Sequence, residues 1–291
     1  MTRRGIVLFA AMCVIWGVPY LMIRVAVREL APVTLVFGRT AIGALLLVPV
    51  AFVRRTELRE LVARWRPLLA YTAIEVAIPW VLLARAETKL SSSLTGLLIA
   101  AVPLVGAVVV TLTGERQKQG SRRWIGLLIG IAGVGAIVGL NLGVVNGLAV
   151  GEIALVAVCY AIGPIILARK LSELPALDVV VASLVLSAIA YAPLAAWRWP
   201  SSLPSGRVLL SVVGLAVICT AIAFLVFFAL IAEVGPVRAT VITYLNPAVA
   251  AVLGVAVLGE HVTWGMGIGF VLVLTGCVLA TGRSPDTVAE P

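Results

Sequence analysis

Two ionisable residues sit where the sequence leaves little room for water. Glu75 lies deep in an apolar stretch, with Tyr71 one helical turn before it and Pro79 one turn after. A carboxyl group taken out of water holds its proton more tightly. At such depth it serves as a proton carrier when neutral, or as a cation site when ionised. Arg39 lies in the preceding apolar stretch, about seven residues or roughly 10 Å from its start at 1.5 Å rise per residue. A charge at a bilayer centre costs at least about 2.5 kcal/mol, so Arg39 is expected to face a cavity or a partner. Both an ion pair between the two and a role in substrate binding or coupling stay open.

Aromatic and hydroxyl residues recur at helical spacing. Trp16, Tyr20 and, less closely aligned, Arg24 share one face of the first apolar stretch. Pro19 among them removes a helical hydrogen bond and predicts a kink or an unwound turn. Plain packing of Trp16 and an Arg24 side chain reaching for the interface are the alternative. Ser92, Gly96, Ala100 and Pro103 form one stripe, and Thr240, Thr243, Tyr244 and Pro247 another. Such residues let backbones approach and hydrogen-bond across an interface, while Tyr244 and Asn246 have the reach to enter a cavity. Tyr160 lies two turns deeper than Glu152, which reads as interfacial.

Other chemistry is poorly supported. The sole histidine, His261, falls in a loop beside Glu260, and neither an acid–histidine cluster nor a metal-ligand cluster lies at membrane depth, which argues against an intramembrane enzyme. Cys13, Cys159, Cys219 and Cys277 lack metal or redox spacing and read as small buried apolar residues. No Gly-x-x-x-x-Gly-Lys-Ser/Thr loop is present, so ATP is not expected as the direct energy source. No cofactor and no metal are expected.

The elements that must hold these residues are membrane helices. The chain is 62% apolar and 12% charged, with a mean hydropathy of +1.15, which excludes a soluble globular domain. Ten spans of the length a hydrocarbon core requires cover roughly 5–27, 32–53, 67–86, 90–113, 123–141, 148–168, 175–197, 207–232, 235–258 and 263–281. The net charge of +9 suggests nucleic acid until its placement is considered. Arg3, Arg4, the arginines between 54 and 66, the basic residues between 116 and 123, Arg169, Lys170, Arg238 and Arg283 all fall on one side. The other side has only Arg28, Arg85, Lys89, Arg198 and Arg207, an asymmetry that places both termini in the cytoplasm.

The chain also echoes itself. One constant offset carries Thr95 to Thr240 and Glu115 to Glu260, while Pro103 and Pro247 miss it by a single residue. Trp16 to Pro19 faces Tyr160 to Pro164, and Gly126 and Gly133 match Gly269 and Gly276. Gly114–Glu115 and Gly259–Glu260 close spans 4 and 9 on opposite sides, each glutamate placed to favour the N-terminus of the helix that follows. The glycines of spans 5 and 10 mark close packing, within the chain or in a dimer. Two units of five spans follow, 1–143 and 144–282, with a polar tail, 283–291, expected to be disordered and cytoplasmic. Five is odd, so the second unit enters the membrane from the opposite side. Inverted repeats of this kind build secondary transporters with a midplane site between the copies.

With Trp16 and Gly17, Arg39, Pro247, the closing Gly259 and Glu260 and the trailing Gly269 and Gly276 in view, the chain resembles the drug/metabolite transporter superfamily. It is similar to the ten-helix members with two EamA-type repeats over residues 5–281, with a one-residue departure between Pro103 and Glu115. The resemblance implies an all-α membrane protein with ten helices, as two inverted five-helix repeats around a central cavity. It also implies export of amino acids or other small metabolites across the cell inner membrane. Carried over onto this chain, it places Trp16, Tyr20, Tyr71, Glu75, Trp80, Tyr160 and Tyr244 around the cavity. Arg39, Ser92 and Thr243 complete the candidate substrate-binding set. The expected partners are a small-molecule substrate and membrane lipid, with no nucleic acid, in a monomer or homodimer. A passive facilitator or channel, and an exporter of drugs or nucleosides, remain alternatives.

Overall fold

Ten apolar segments, each needing to satisfy its backbone internally, fold as helices. The structure, a computed structural model, describes residues 1–54, 58–112, 121–139 and 146–281. Arg55, Gly114, Glu115, Arg116, Lys118, the boundary between residues 143 and 144, Arg283 and the tail lie outside the described residues.

Among the described residues, nine helices are long and apolar enough to cross a membrane. Spans 1 to 8 are Arg3–Ala26, Pro32–Val53, Trp65–Ala86, Ser92–Val109, Ser121–Gly139, Gly147–Lys170, Ala176–Trp197 and Gly206–Val234, and span 10 is Trp264–Thr281. Span 9, the shorter Ile242–Leu258, is preceded by a single turn, Pro236–Ala239. A short helix, Leu58–Ala63, lies between spans 2 and 3.

Local signals set the helix ends. Thr2 accepts from the Gly5 amide at 3.0 Å, Ser91 from Leu94 at 3.2 Å and Asn146 from Ala149 at 3.0 Å, each satisfying an amide that the first turn leaves free. Span 1 breaks at Trp16 and Gly17, because Pro19 has no N–H to offer the Ile15 carbonyl. Gly17 lies where a Cβ would come within 2.5 Å of Val249, so the break also lets span 1 press against span 9. The repeat-equivalent Pro164 leaves span 6 continuous.

Packing follows the repeat. Span 5 lies along span 10, span 2 along span 7, and span 4 along span 9, so three helices pair with their own counterparts. Spans 3 and 8 trade: span 3 packs on span 6, and span 8 on span 1. That pattern is what a two-fold axis between two copies of one unit produces. Gly126, Gly133, Gly269 and Gly276 of spans 5 and 10 act within the chain, whereas Gly135, Gly139 and Gly267 meet nothing within 4 Å. A Cβ on Gly126 would approach the Ala280 amide to 2.5 Å, and one on Gly276 the Gly130 amide to 2.5 Å. At the end of the bundle poor in arginine, Arg85 of span 3 pairs with Glu152 of span 6 at 3.0 Å. At the arginine-rich end, Arg64 pairs with Glu173 and Arg4 approaches Glu233 at 4.0 Å.

Candidate functional site

Spans 3 and 8 each widen into one turn of π-helix, Thr72–Ala77 and Val217–Ile222. The offset that carries Thr95 to Thr240 carries one turn onto the other, residue for residue. A π turn shifts its hydrogen bonds to i→i+5 and frees carbonyl oxygens for other donors. Side chains take them up here. The Tyr191 hydroxyl donates to the Ala77 carbonyl at 3.0 Å, and the Thr220 hydroxyl to the Leu215 carbonyl at 2.8 Å. Thr72 donates to Ser183 at 3.0 Å, tying the first π turn to span 7.

Arg39 belongs to the second π turn. Its Nε donates to Thr220 Oγ1 at 2.9 Å and its Nη2 to the Cys219 carbonyl at 3.4 Å. Its guanidinium carbon lies 3.6 Å from the centre of the Trp80 ring. A desolvated cation over an indole gains about 2 kcal/mol, which offsets much of the cost of holding Arg39 at only 9% exposure. Gly43 makes room for this approach, since a Cβ there would meet Thr220 at 3.1 Å.

Glu75 belongs to the first π turn and faces span 6. It lies against Gly163, where any Cβ would collide with its carboxylate. Its Oε2 is buried without a hydrogen-bond partner. Tyr71, Cys159 and Tyr160 are its electrostatic neighbours. Arg39 and Glu75 form no ion pair with each other, although that pair was one of the two readings open to them. The physical reason is the π turn of span 8, whose hydroxyl and freed carbonyl satisfy Arg39 in place of a carboxylate. Tyr160 lies beside Trp80, with Arg39 and Glu75 as its charged neighbours. Tyr20, buried beside Gly96, senses both Arg39 and Tyr160. The helices thus bring Tyr20, Arg39, Glu75, Trp80 and Tyr160 into one group, with Tyr20, Arg39 and Trp80 buried and Glu75 and Tyr160 half-buried.

The other candidates sit elsewhere. Trp16 packs on Phe227 at 4.6 Å and Phe224 at 6.2 Å, between spans 1 and 8. Tyr71 reaches down into the cluster of Leu68, Leu171 and Val179. Thr243 bonds its own helix, donating to the Thr240 carbonyl at 2.8 Å, and the Tyr244 hydroxyl is 3.1 Å from that of Thr281 in span 10. Ser92 is occupied by Glu260. The Glu260 carboxylate accepts from the Ser92 and Ser93 amides, both at 2.8 Å, and from the Ser93 hydroxyl at 2.6 Å. Burial alone would raise the Glu260 carboxyl, but these serine bonds outweigh it and hold the group below the ordinary glutamate value. Glu260 was expected to favour the helix that follows it. Instead it caps span 4, the counterpart of the helix it ends, because Gly259 in a left-handed turn (φ 65°) points the chain back.

A cavity of about 470 Å³ opens between spans 2, 3 and 7 near the arginine-rich end, lined by Phe52, Trp65, Leu69 and Val185 among others. None of the ten candidates lines it. Two buried acids escaped the sequence reading, Asp178 in the first turn of span 7 and Glu87. Glu87, just past span 3, is fully buried. A polar residue in a five-residue connection reads as solvated, and nothing in its spacing signals otherwise.

A family model described as the EamA-like transporter family matches residues 3–139 and again residues 148–282. The Escherichia coli K12 protein "Uncharacterized inner membrane transporter YedA" is 28% identical over 284 residues, covering 93% of this chain and 88% of its own. The Bacillus subtilis 168 protein "Uncharacterized transporter YvbV" is 26% identical over 294 residues, covering 97% and 92%. A solved crystal structure, 18% identical and covering 99% of this chain and 100% of its own, superposes with a TM-score of 0.66, a likeness of fold alone.

Proposed function

The chain belongs to the EamA-like transporter family, and from that premise we propose that it is a secondary transporter of the cell inner membrane that exports amino acids by alternating access. Its two five-helix units would rock about the buried polar group, with both termini in the cytoplasm as the arginine asymmetry requires. The observation that carries the substrate class is the pair of unlike charges left without each other. Arg39, held rigidly by Trp80, Thr220 and Cys219, presents its remaining donors to an α-carboxylate. Glu75, with one oxygen unpartnered, accepts an α-ammonium. Tyr20, Trp80 and Tyr160 then contact the substrate side chain. A zwitterion would complete both charges at once, where a neutral nucleoside or a cationic drug would complete at most one.

Counterflow in proteoliposomes against amino acids, nucleosides and cationic drugs, with and without a proton gradient, tests this reading. Saturable counterflow of neutral amino acids is expected. Single-channel conductance, or counterflow of nucleosides in place of amino acids, would sink it.

A further inference from the structure

Glu87 stands apart from the polar group described above and needs its own explanation. It follows span 3 at the arginine-poor end, twelve residues beyond Glu75, and is 0% exposed. Neither of its carboxylate oxygens has a hydrogen-bond partner. An acid of this kind is unstable as an ion in a dry site and comfortable as a neutral carboxyl.

Its surroundings come from three other elements. From span 1, Arg24 donates to the backbone carbonyl of Glu87 and not to its carboxylate, and Tyr20 lies one turn deeper. From the turn after span 9, Glu260 brings a second carboxylate, ionised on its serine bonds. From span 6, Glu152 faces Glu87's own neighbour Arg85 and is neutralised by it, while Lys89 is exposed on the connection itself. Burial pushes the Glu87 carboxyl well up and the negative Glu260 adds to that, while Arg24 opposes.

Two sets of contacts flank the connection that Glu87 opens. Arg24 ties span 1 to the start of the span 3–4 connection, and Glu260 ties spans 9 and 10 to its finish through Ser92 and Ser93. Parting these helices would hydrate Glu87. We infer that Glu87 is a proton-binding latch: with its proton on, it seals the arginine-poor end of the bundle, and loss of the proton favours opening there. The sign follows from linkage. A carboxyl whose affinity for protons is higher in the sealed state stabilises that state at low pH, and the contribution disappears as pH rises through the sealed-state pKa. The latch does not depend on what binds between Arg39 and Glu75.

Hydrogen exchange of the full chain in lipid nanodiscs reads the latch directly at residues 87–95, which include the Ser92 and Ser93 amides held by Glu260. After correction for intrinsic rates, the wild type should exchange there at least about tenfold more slowly at about pH 5.5 than at about pH 8, one pKa unit of preference being a tenfold population change. Glu87→Gln, neutral at every pH, should exchange slowly at both. Glu260→Gln should exchange faster at both and keep the pH response. A wild type indifferent to pH, a response retained in Glu87→Gln, or a response lost in Glu260→Gln would each overturn the inference. Exchange across span 5 shows whether each variant is folded. Should Glu87→Gln not fold, Arg24→Gln decides: without the opposing cation the midpoint must move to higher pH, and an unmoved midpoint overturns the latch.

Discussion

Spans 3 and 8 are the same helix made twice, and they differ in one decisive respect. Each widens into a π turn at the same register, and each turn ties to a helix of the opposite unit's pair. Span 3 carries Glu75 in its turn, and span 8 carries Thr220 at the equivalent position. On the other side of the same relation, span 2 offers Arg39, while span 7 offers Ser183. Repetition supplied two π turns at one register, and divergence put a carboxyl group in one and an arginine partner against the other. The lesson is that geometry in this fold is symmetric and chemistry is not.

The sharpest way to break the symmetry is at the close packing of spans 5 and 10. Gly133→Val would drive a Cβ to 2.7 Å from the Gly269 carbonyl, whereas Gly135, two residues on, has nothing within 4 Å. A loss of about 3 kcal/mol or outright failure to fold is expected for the first and almost no change for Gly135→Val, as read by thermal unfolding in detergent. Next in size, Thr220→Asp places in span 8 the charge that span 3 already has. The new carboxylate should pair with Arg39 and reduce amino-acid counterflow about a hundredfold, with the protein still monodisperse. Glu75→Gln makes the two turns alike in charge instead. A loss of about tenfold is expected, and unchanged counterflow would remove Glu75 from the scheme. The smallest effect belongs to the cap. Glu260→Gln should lower stability by about 1 kcal/mol at neutral pH. Because the Glu260 carboxyl is held below its ordinary value of about 4.3, that difference should persist above this value and vanish as pH falls below it. Melting curves of both proteins across pH check it.

Much of this layout was legible in the chain. Hydropathy set the spans because lipid allows few alternatives, and the echo of Thr95 in Thr240 and of Gly126 in Gly269 disclosed the repeat. The π turns were not legible, since neither Thr72–Ala77 nor Val217–Ile222 contains a glycine or proline to mark it. That hid the partner of Arg39, which turned out to be backbone and hydroxyl in place of Glu75. The destination of Glu260 was hidden for a related reason: its partners, Ser92 and Ser93, are distant in sequence and meet it only through the two-fold arrangement. Ser91 caps its own helix, and a run of serines does not say that a glutamate from the other unit completes the cap.

In the proposed function, Arg39 and Glu75 stay apart so as to share one zwitterion. Binding of a neutral amino acid to the purified protein, compared with its amide and its N-acetyl derivative, tests this most directly. Each derivative should bind at least about tenfold more weakly, the penalty for the amide disappearing in Arg39→Leu and that for the N-acetyl compound in Glu75→Gln. Equal binding of all three compounds to the wild type would contradict it.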